Sequence, residues 1–213
     1  MKEMYGIEER KKCLLDQTEL FVIDMDGTFY CGEKMIDGAL DFLKAVVKRG
    51  KQFLFFTNNT SRAPEEYIEK LHRMGCDISR SQIMTAGDVT IRYLKTYYGD
   101  QRVCLMGTPQ LERQFADAGI RLSEDDAEIV MTAFDMTLTY EKLERACTFI
   151  RNGAVFLATH LDINCPVEGG FIPDCGAMCA AIALSTGVQP KYLGKPFKET
   201  VDMVLEHTGT EKE

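Results

Sequence analysis

The stretch Leu20-Phe21-Val22-Ile23-Asp24-Met25-Asp26-Gly27-Thr28 runs from unbroken apolar residues straight into a polar cluster. A short apolar run of this kind reads as a strand buried on both faces, the usual state of a strand in a parallel sheet. Asp, Gly and Thr then mark the point where the strand stops. A second run, Phe53-Leu54-Phe55-Phe56-Thr57, ends 33 residues after Asp24. That spacing is close to the roughly 30 residues of a βαβ unit. Between the runs, residues 37–49 place Leu40, Leu43, Val46 and Val47 at helical spacing and stop at Gly50. The two strands are therefore expected to be parallel neighbours, with Asp24 and Thr57 on the edge where open α/β sheets bind ligands.

Outward from this unit, Pro64 suits a first helical turn, and Tyr67, Ile68, Leu71 and Met74 form an inward stripe ending at Gly75. Beyond Thr85 the alternation repeats. Strands are expected at 102–106, 128–134 and 154–158, helices at 109–118 and 140–151, and an irregular loop at 159–174. A helix at 176–185, a short strand at 191–193 and a helix at 197–207 complete the chain. The fold class is α/β with largely parallel sheets. Residues 1–85 and 188–213 are expected to form a core, and residues 86–187 an inserted α/β unit.

Composition narrows the function classes. The 213 residues carry 25 Lys and Arg against 33 Asp and Glu, a net charge of −8, which argues against a nucleic-acid polymer or an anionic membrane as partner. The first seventeen residues lack an apolar signal segment, and the longest apolar stretch, near Cys175 to Leu184, is too short to span a bilayer, so a cytoplasmic protein is expected. The 8 cysteines are scattered through strand-like and helix-like segments and are read as free thiols.

Three polar groups could carry chemistry. At a strand end, Asp24 and Asp26 can face one ligand, with a hard cation such as Mg²⁺ screening their repulsion; one carboxylate can then attack phosphorus while the other serves as acid and base. The same residue types also make an ordinary acidic turn. Thr57-Asn58-Asn59-Thr60-Ser61 can donate hydrogen bonds to phosphate oxygens, or can simply cap and turn. Lys195, just past the strand at 191–193, can offset the charge of a nucleophile and a phosphoryl group, though a lone Lys beside Gly is commonly a surface residue. All three fall at predicted strand ends, and each supplies one part of a phosphoryl-transfer site.

Together, Phe21 to Thr28, Phe55-Phe56-Thr57-Asn58-Asn59 and Gly194-Lys195-Pro196 resemble, in order and spacing, the first three motifs of the haloacid dehalogenase superfamily of phosphatases. The long insertion resembles the type IIA (C2) cap of the NagD-like members, notably at Asn152-Gly153-Ala154 through Ala158-Thr159 and at Pro173-Asp174-Cys175-Gly176-Ala177. The resemblance spans roughly residues 18–209 and implies a Rossmann-like core with a mobile cap. It makes Asp24 the nucleophile and Asp26 the acid and base, with Asp24 and the backbone carbonyl of Asp26 facing Mg²⁺. Thr57 and Asn58 become phosphate binders and Lys195 the stabilising cation. The implied activity is Mg²⁺-dependent hydrolysis of small phosphate monoesters, of nucleotide, sugar-phosphate, phosphoglycolate or aryl-phosphate type. The cap also offers a surface on which a homodimer could form.

The family's fourth, acidic motif has no counterpart here, so the resemblance implies a core without its C-terminal part. It also leaves a second reading, a phosphate-binding or self-associating protein without useful catalysis. Glu199, Asp202 and Glu206 are read as a solvated helix face. His160, Cys165, Cys175 and Cys179 lack the spacing of a zinc site. In the cap–core loop, His160, Asp162 and Asp174 are expected either to touch the substrate's leaving group or to cap turns.

Overall fold

A computed structural model describes residues 2–210. In chain order its first part holds α1 (Lys2–Gln17), β1 (Leu20–Ile23), a short hairpin of β2 (Tyr30–Cys31) and β3 (Lys34–Met35), α2 (Ala39–Lys48), β4 (Gln52–Thr57), α3 (Pro64–Arg73) and β5 (Ile83–Thr85). The second part holds α4 (Ala86–Tyr97), β6 (Val103–Met106), α5 (Pro109–Asp117), β7 (Ile129–Thr132), α6 (Tyr140–Arg151) and β8 (Val155–Ala158). A second hairpin, β9 (Asn164–Val167) and β10 (Gly170–Pro173), precedes α7 (Cys175–Thr186), β11 (Lys191–Tyr192) and α8 (Lys198–Thr208).

The expected βαβ unit is present. A parallel sheet of order β1-β4-β5 sets Ile23 beside Phe55 and Thr57 beside Thr85, so the ends of its strands share one edge. A second parallel sheet has the order β11-β8-β7-β6. Two expectations are corrected. Residues 188–213 were assigned to the core, yet β11 pairs with β8 in the second sheet, so Lys195 approaches from the inserted unit's sheet. The segment 159–174, expected to be irregular, contains the antiparallel β9–β10 hairpin. Among the described residues no helix is long and apolar enough to cross a membrane.

Alternation along β4 builds the core on both faces of the first sheet. Phe55, with Ile83, packs against Leu43 of α2 and Tyr67 and Leu71 of α3, and closes over Met25, Phe29 and Tyr30. On the opposite face Leu54, Phe56 and Met84 join Val89, Leu111 and Phe115 of α4 and α5, then Ile129, Met131 and Leu157 of the second sheet. One apolar cluster thus ties both sheets together. Val130 and Phe156 face the other way, toward α6 and α7. In α2, Leu43 and Val46 are buried while Val47 is 55% exposed, so the inward stripe is narrower than the four apolar residues suggested.

Candidate active site

At the end of β1 the chain coils tightly. The N–H groups of Thr28, Phe29 and Tyr30 all donate to the Met25 carbonyl, at 3.2, 2.9 and 3.2 Å. Gly27 sits at φ +80°, where a side chain would be strained, and an added Cβ would lie 3.3 Å from Pro166 Cγ. The turn brings Thr28 Oγ1 back to donate to Asp24 Oδ2 at 3.0 Å. From the other side Lys195 Nζ donates to Asp24 Oδ1. It also reaches the Phe56 carbonyl at the end of β4, at 3.4 Å. The Asp24 and Lys195 side chains remain 37% and 34% exposed, which leaves the pair open to a ligand.

Lys195 is held by its backbone. Gly194 N–H donates to the Thr159 carbonyl at 2.6 Å. Asn58 Oδ1 accepts the Lys195 N–H at 2.9 Å, and Asn58 Nδ2 donates to the Lys195 carbonyl at 3.0 Å and to Asp162 Oδ2 at 2.9 Å. Asn58 was expected to bind phosphate; its side-chain amide is engaged at both ends, clasping the Lys195 peptide and reaching Asp162. Thr57 is buried, and its hydroxyl oxygen accepts the Asn59 N–H at 3.0 Å, which leaves the hydroxyl proton for another acceptor.

Asp26 lies deeper. Its Oδ2 is buried with no hydrogen-bond partner among the described residues. Burial raises its pKa and the nearby Asp24 carboxylate adds to the rise, against the charges of Lys70 and Arg62 and a hydrogen bond from Asn59. Lys70 is buried on α3, with its ammonium 3.7 Å from the centre of the Tyr30 ring and 3.8 Å from Glu33. Burial lowers its pKa, opposed by Asp26 and Glu33. Sequence reasoning named Asn59 within the phosphate-binding segment but missed Arg62 and Lys70 as parts of this site. For Lys70 a signal existed: it falls on the same helical stripe as the buried Tyr67 and Leu71, where a cation needs a partner.

His160 and Asp174 are buried, and they face each other instead of the open mouth. His160 Nε2 lies 2.8 Å from Asp174 Oδ1 and Nδ1 lies 2.9 Å from Thr159 Oγ1. Burial works to lower the His160 pKa, but Cys175, Asp174 and Asp162 outweigh it and the net shift is upward. Ligand atoms of His160, Asp162 and Asp174 lie within 4.8 Å of one another, yet the hydrogen bonds just described already occupy these side chains. Of the three, only Asp162 is partly exposed. All 8 cysteines are free thiols.

A family model for haloacid dehalogenase-like hydrolases matches residues 21–121, which include all of β1 but its first residue, the Asp24–Thr28 turn and the Thr57–Arg62 segment. An acid sugar phosphatase of Staphylococcus aureus is 34% identical over 199 residues, covering 93% of this chain and 77% of that protein. The chain belongs to the haloacid dehalogenase-like hydrolases. Within that family it stands with the NagD-like phosphatases and is a phosphoric monoester hydrolase. The 4-nitrophenylphosphatase of Thermotoga maritima superposes with a TM-score of 0.88 at 42% identity, over 93% of this chain and 76% of that one. A glycerol phosphate phosphatase of Mycobacterium tuberculosis, solved with magnesium, superposes with a TM-score of 0.84 at 29% identity, over 91% of this chain and 59% of that one.

Proposed function

We propose that this hydrolase cleaves small phosphate monoesters through an aspartyl-phosphate on Asp24, with Mg²⁺ as cofactor. The observation that carries the reading is the solvent-open Asp24–Lys195 pair with Asp26, held toward its protonated form by burial, two residues away. The Asp24 carboxylate attacks phosphorus, the ester P–O bond breaks, and Asp26 gives its proton to the departing oxygen. Water then attacks the phosphorus, passing a proton back to Asp26, and the acyl-phosphate bond breaks to regenerate Asp24 and release phosphate. The Lys195 ammonium offsets the charge gathered on Asp24 and the phosphoryl oxygens, and the Thr57 hydroxyl offers a neutral donor.

The donor set fits Mg²⁺. This ion prefers oxygen ligands and is commonly held by one or two carboxylates together with waters and substrate phosphate. Asp24 provides a carboxylate and the Asp26 backbone carbonyl a second oxygen at the same strand end, which leaves the buried Asp26 carboxyl group to carry the proton. Bound there, the ion would neutralise phosphoryl charge and orient the group for in-line displacement.

For the substrate, the β9–β10 hairpin supports a small leaving group. Pro166 packs over Gly27, and Glu168 pairs with Lys34 of the β2–β3 hairpin at 2.8 Å, so the two hairpins meet beside the turn that carries Asp26. Sugar phosphates, glycerol phosphate, nucleotides and aryl phosphates are the candidates. The test measures phosphate release from 4-nitrophenyl phosphate and from a sugar phosphate, with Mg²⁺ and with chelator. Turnover should need Mg²⁺ and should fall by at least about 10³-fold in Asp24→Asn with the fold unchanged; a variant that kept most of its rate would overturn the assignment.

A further inference from the structure

His160 performs no step in the proposed reaction, although it is completely buried and engaged at both ring nitrogens. Its partner Asp174 is the N-cap of α7 and accepts the Cys175 N–H at 2.6 Å. The Asp174 N–H donates to the Ile163 carbonyl at 2.9 Å, and the Gly176 N–H donates to the Asp162 carbonyl at 2.8 Å. The first turn of α7 therefore grips residues 160–163 from one side. A Cβ on Gly176 would collide with the Leu161 carbonyl oxygen, so this grip admits no larger residue there.

The opposite side of the same segment faces the catalytic groups. The Thr159 carbonyl takes the Gly194 N–H and Asp162 takes the Asn58 amide, while Asn58 holds both the N–H and the carbonyl of Lys195. There is no slack at this junction. A Cβ on Gly194 would come within 2.6 Å of both Asn58 Oδ1 and the Thr159 oxygen, and within 2.9 Å of His160 Cβ. His160 thus stands directly against Gly194, the residue before Lys195.

We infer that His160 and Asp174 form a positioning pair: by bracing residues 159–163 on α7 they hold Lys195 and Asn58 in register with Asp24. This rests on the phosphatase reading above and assigns the pair to the phosphoryl end of the site, not to the leaving group. The two ends make different demands. A group that touches the leaving group changes the rate according to which alcohol departs. A brace behind Lys195 lowers the rate by one factor for every monoester, and has nothing left to contribute once the Lys195 ammonium is removed.

The test uses the full chain with Mg²⁺. The wild type and Asp24→Asn are assayed first, on 4-nitrophenyl phosphate and on glycerol phosphate. A wild type without turnover overturns the phosphatase reading itself. Given turnover, His160→Ala should lower kcat about 10²-fold on both esters, the scale of a misplacement near 1 Å. His160→Gln, whose amide can stand near the Nε2 position and donate to Asp174, should recover most of the loss. In a Lys195→Ala background, adding His160→Ala should cost less than threefold. A loss that differs tenfold between the esters, or full additivity with Lys195→Ala, or an unchanged kcat in folded His160→Ala, overturns the pair while leaving the phosphatase in place. Should His160→Ala fail to fold, the partly exposed Asp162→Asn replaces it: a similar loss on both esters supports the brace, and none overturns it.

Discussion

Gly194 shows how little freedom the site has at the scale of one residue. Its missing side chain lets the strand end lie against Asn58, Thr159 and His160, so Gly194→Ala should push Lys195 off Asp24. The expected result is a fall in kcat of about 10²-fold with an unchanged circular dichroism spectrum; wild-type turnover would count against it. Cys165 is the buried residue of β9, where burial, helped by the carboxylates of Asp26, Asp174 and Asp162, pushes its thiol up to about 12. At pH 8 its thiolate is then about one molecule in 10⁴, while Cys13 is exposed. Peptide mapping after brief iodoacetamide treatment should find Cys13 alkylated and Cys165 intact. Equal labelling would mean that the hairpin does not shield this position. Asp24 and Lys195 were legible as single residues because a strand end and the turn after it form a local pattern. The role of Asn58 was not, since its partners Asp162 and Lys195 lie 104 and 137 residues away in the chain.

At the scale of elements, caps decide where helices begin and so where the strand ends point. Thr85 closes β5 and opens α4 through a reciprocal pair: its hydroxyl accepts the Asp88 N–H at 3.2 Å and its N–H donates to Asp88 Oδ2 at 2.9 Å. Thr85→Ala should cost about 1 kcal/mol in urea unfolding; no change in the midpoint would show that α4 is held by packing alone. The β9–β10 hairpin escaped the sequence reading because Asn164-Cys165-Pro166-Val167 and Gly170-Phe171-Ile172-Pro173 lack clear alternation and each contains a proline. The strand β11 was legible as a strand, but its sheet was not. Two residues beside Leu157 and Ala158 carry no local mark of which neighbour they will choose.

At the scale of the whole molecule, the apolar cluster joining Phe56 and Met84 to Met131 and Leu157 through Phe115 predicts that the two sheets unfold together. Phe115 is fully buried, and Phe115→Ala should cost about 3–5 kcal/mol. Amide hydrogen exchange should then show the same drop in opening free energy for β4 and for β7. A drop confined to β7 would mean that the sheets are independent units. Size alone is a poor guide to the chemistry of this molecule. A groove of about 960 Å³, lined by residues such as Arg80, Asp88, Lys95, Met203 and His207, shares no lining residue with the mouth around Asp24 and Lys195.

By itself the sequence determined the α/β alternation, the parallel pairing of the first two long strands and the placing of Asp24, Asp26, Thr57 and Lys195 at strand ends. Those features follow from short-range periodicity and turn chemistry, which act within a few residues. Only the tertiary structure decided that Lys195 reaches Asp24 from the second sheet, that Asn58 clasps its peptide and that His160 is sealed against Asp174. Each of these depends on which distant segments exclude water together, and a buried polar atom takes whichever partner the packing brings within reach.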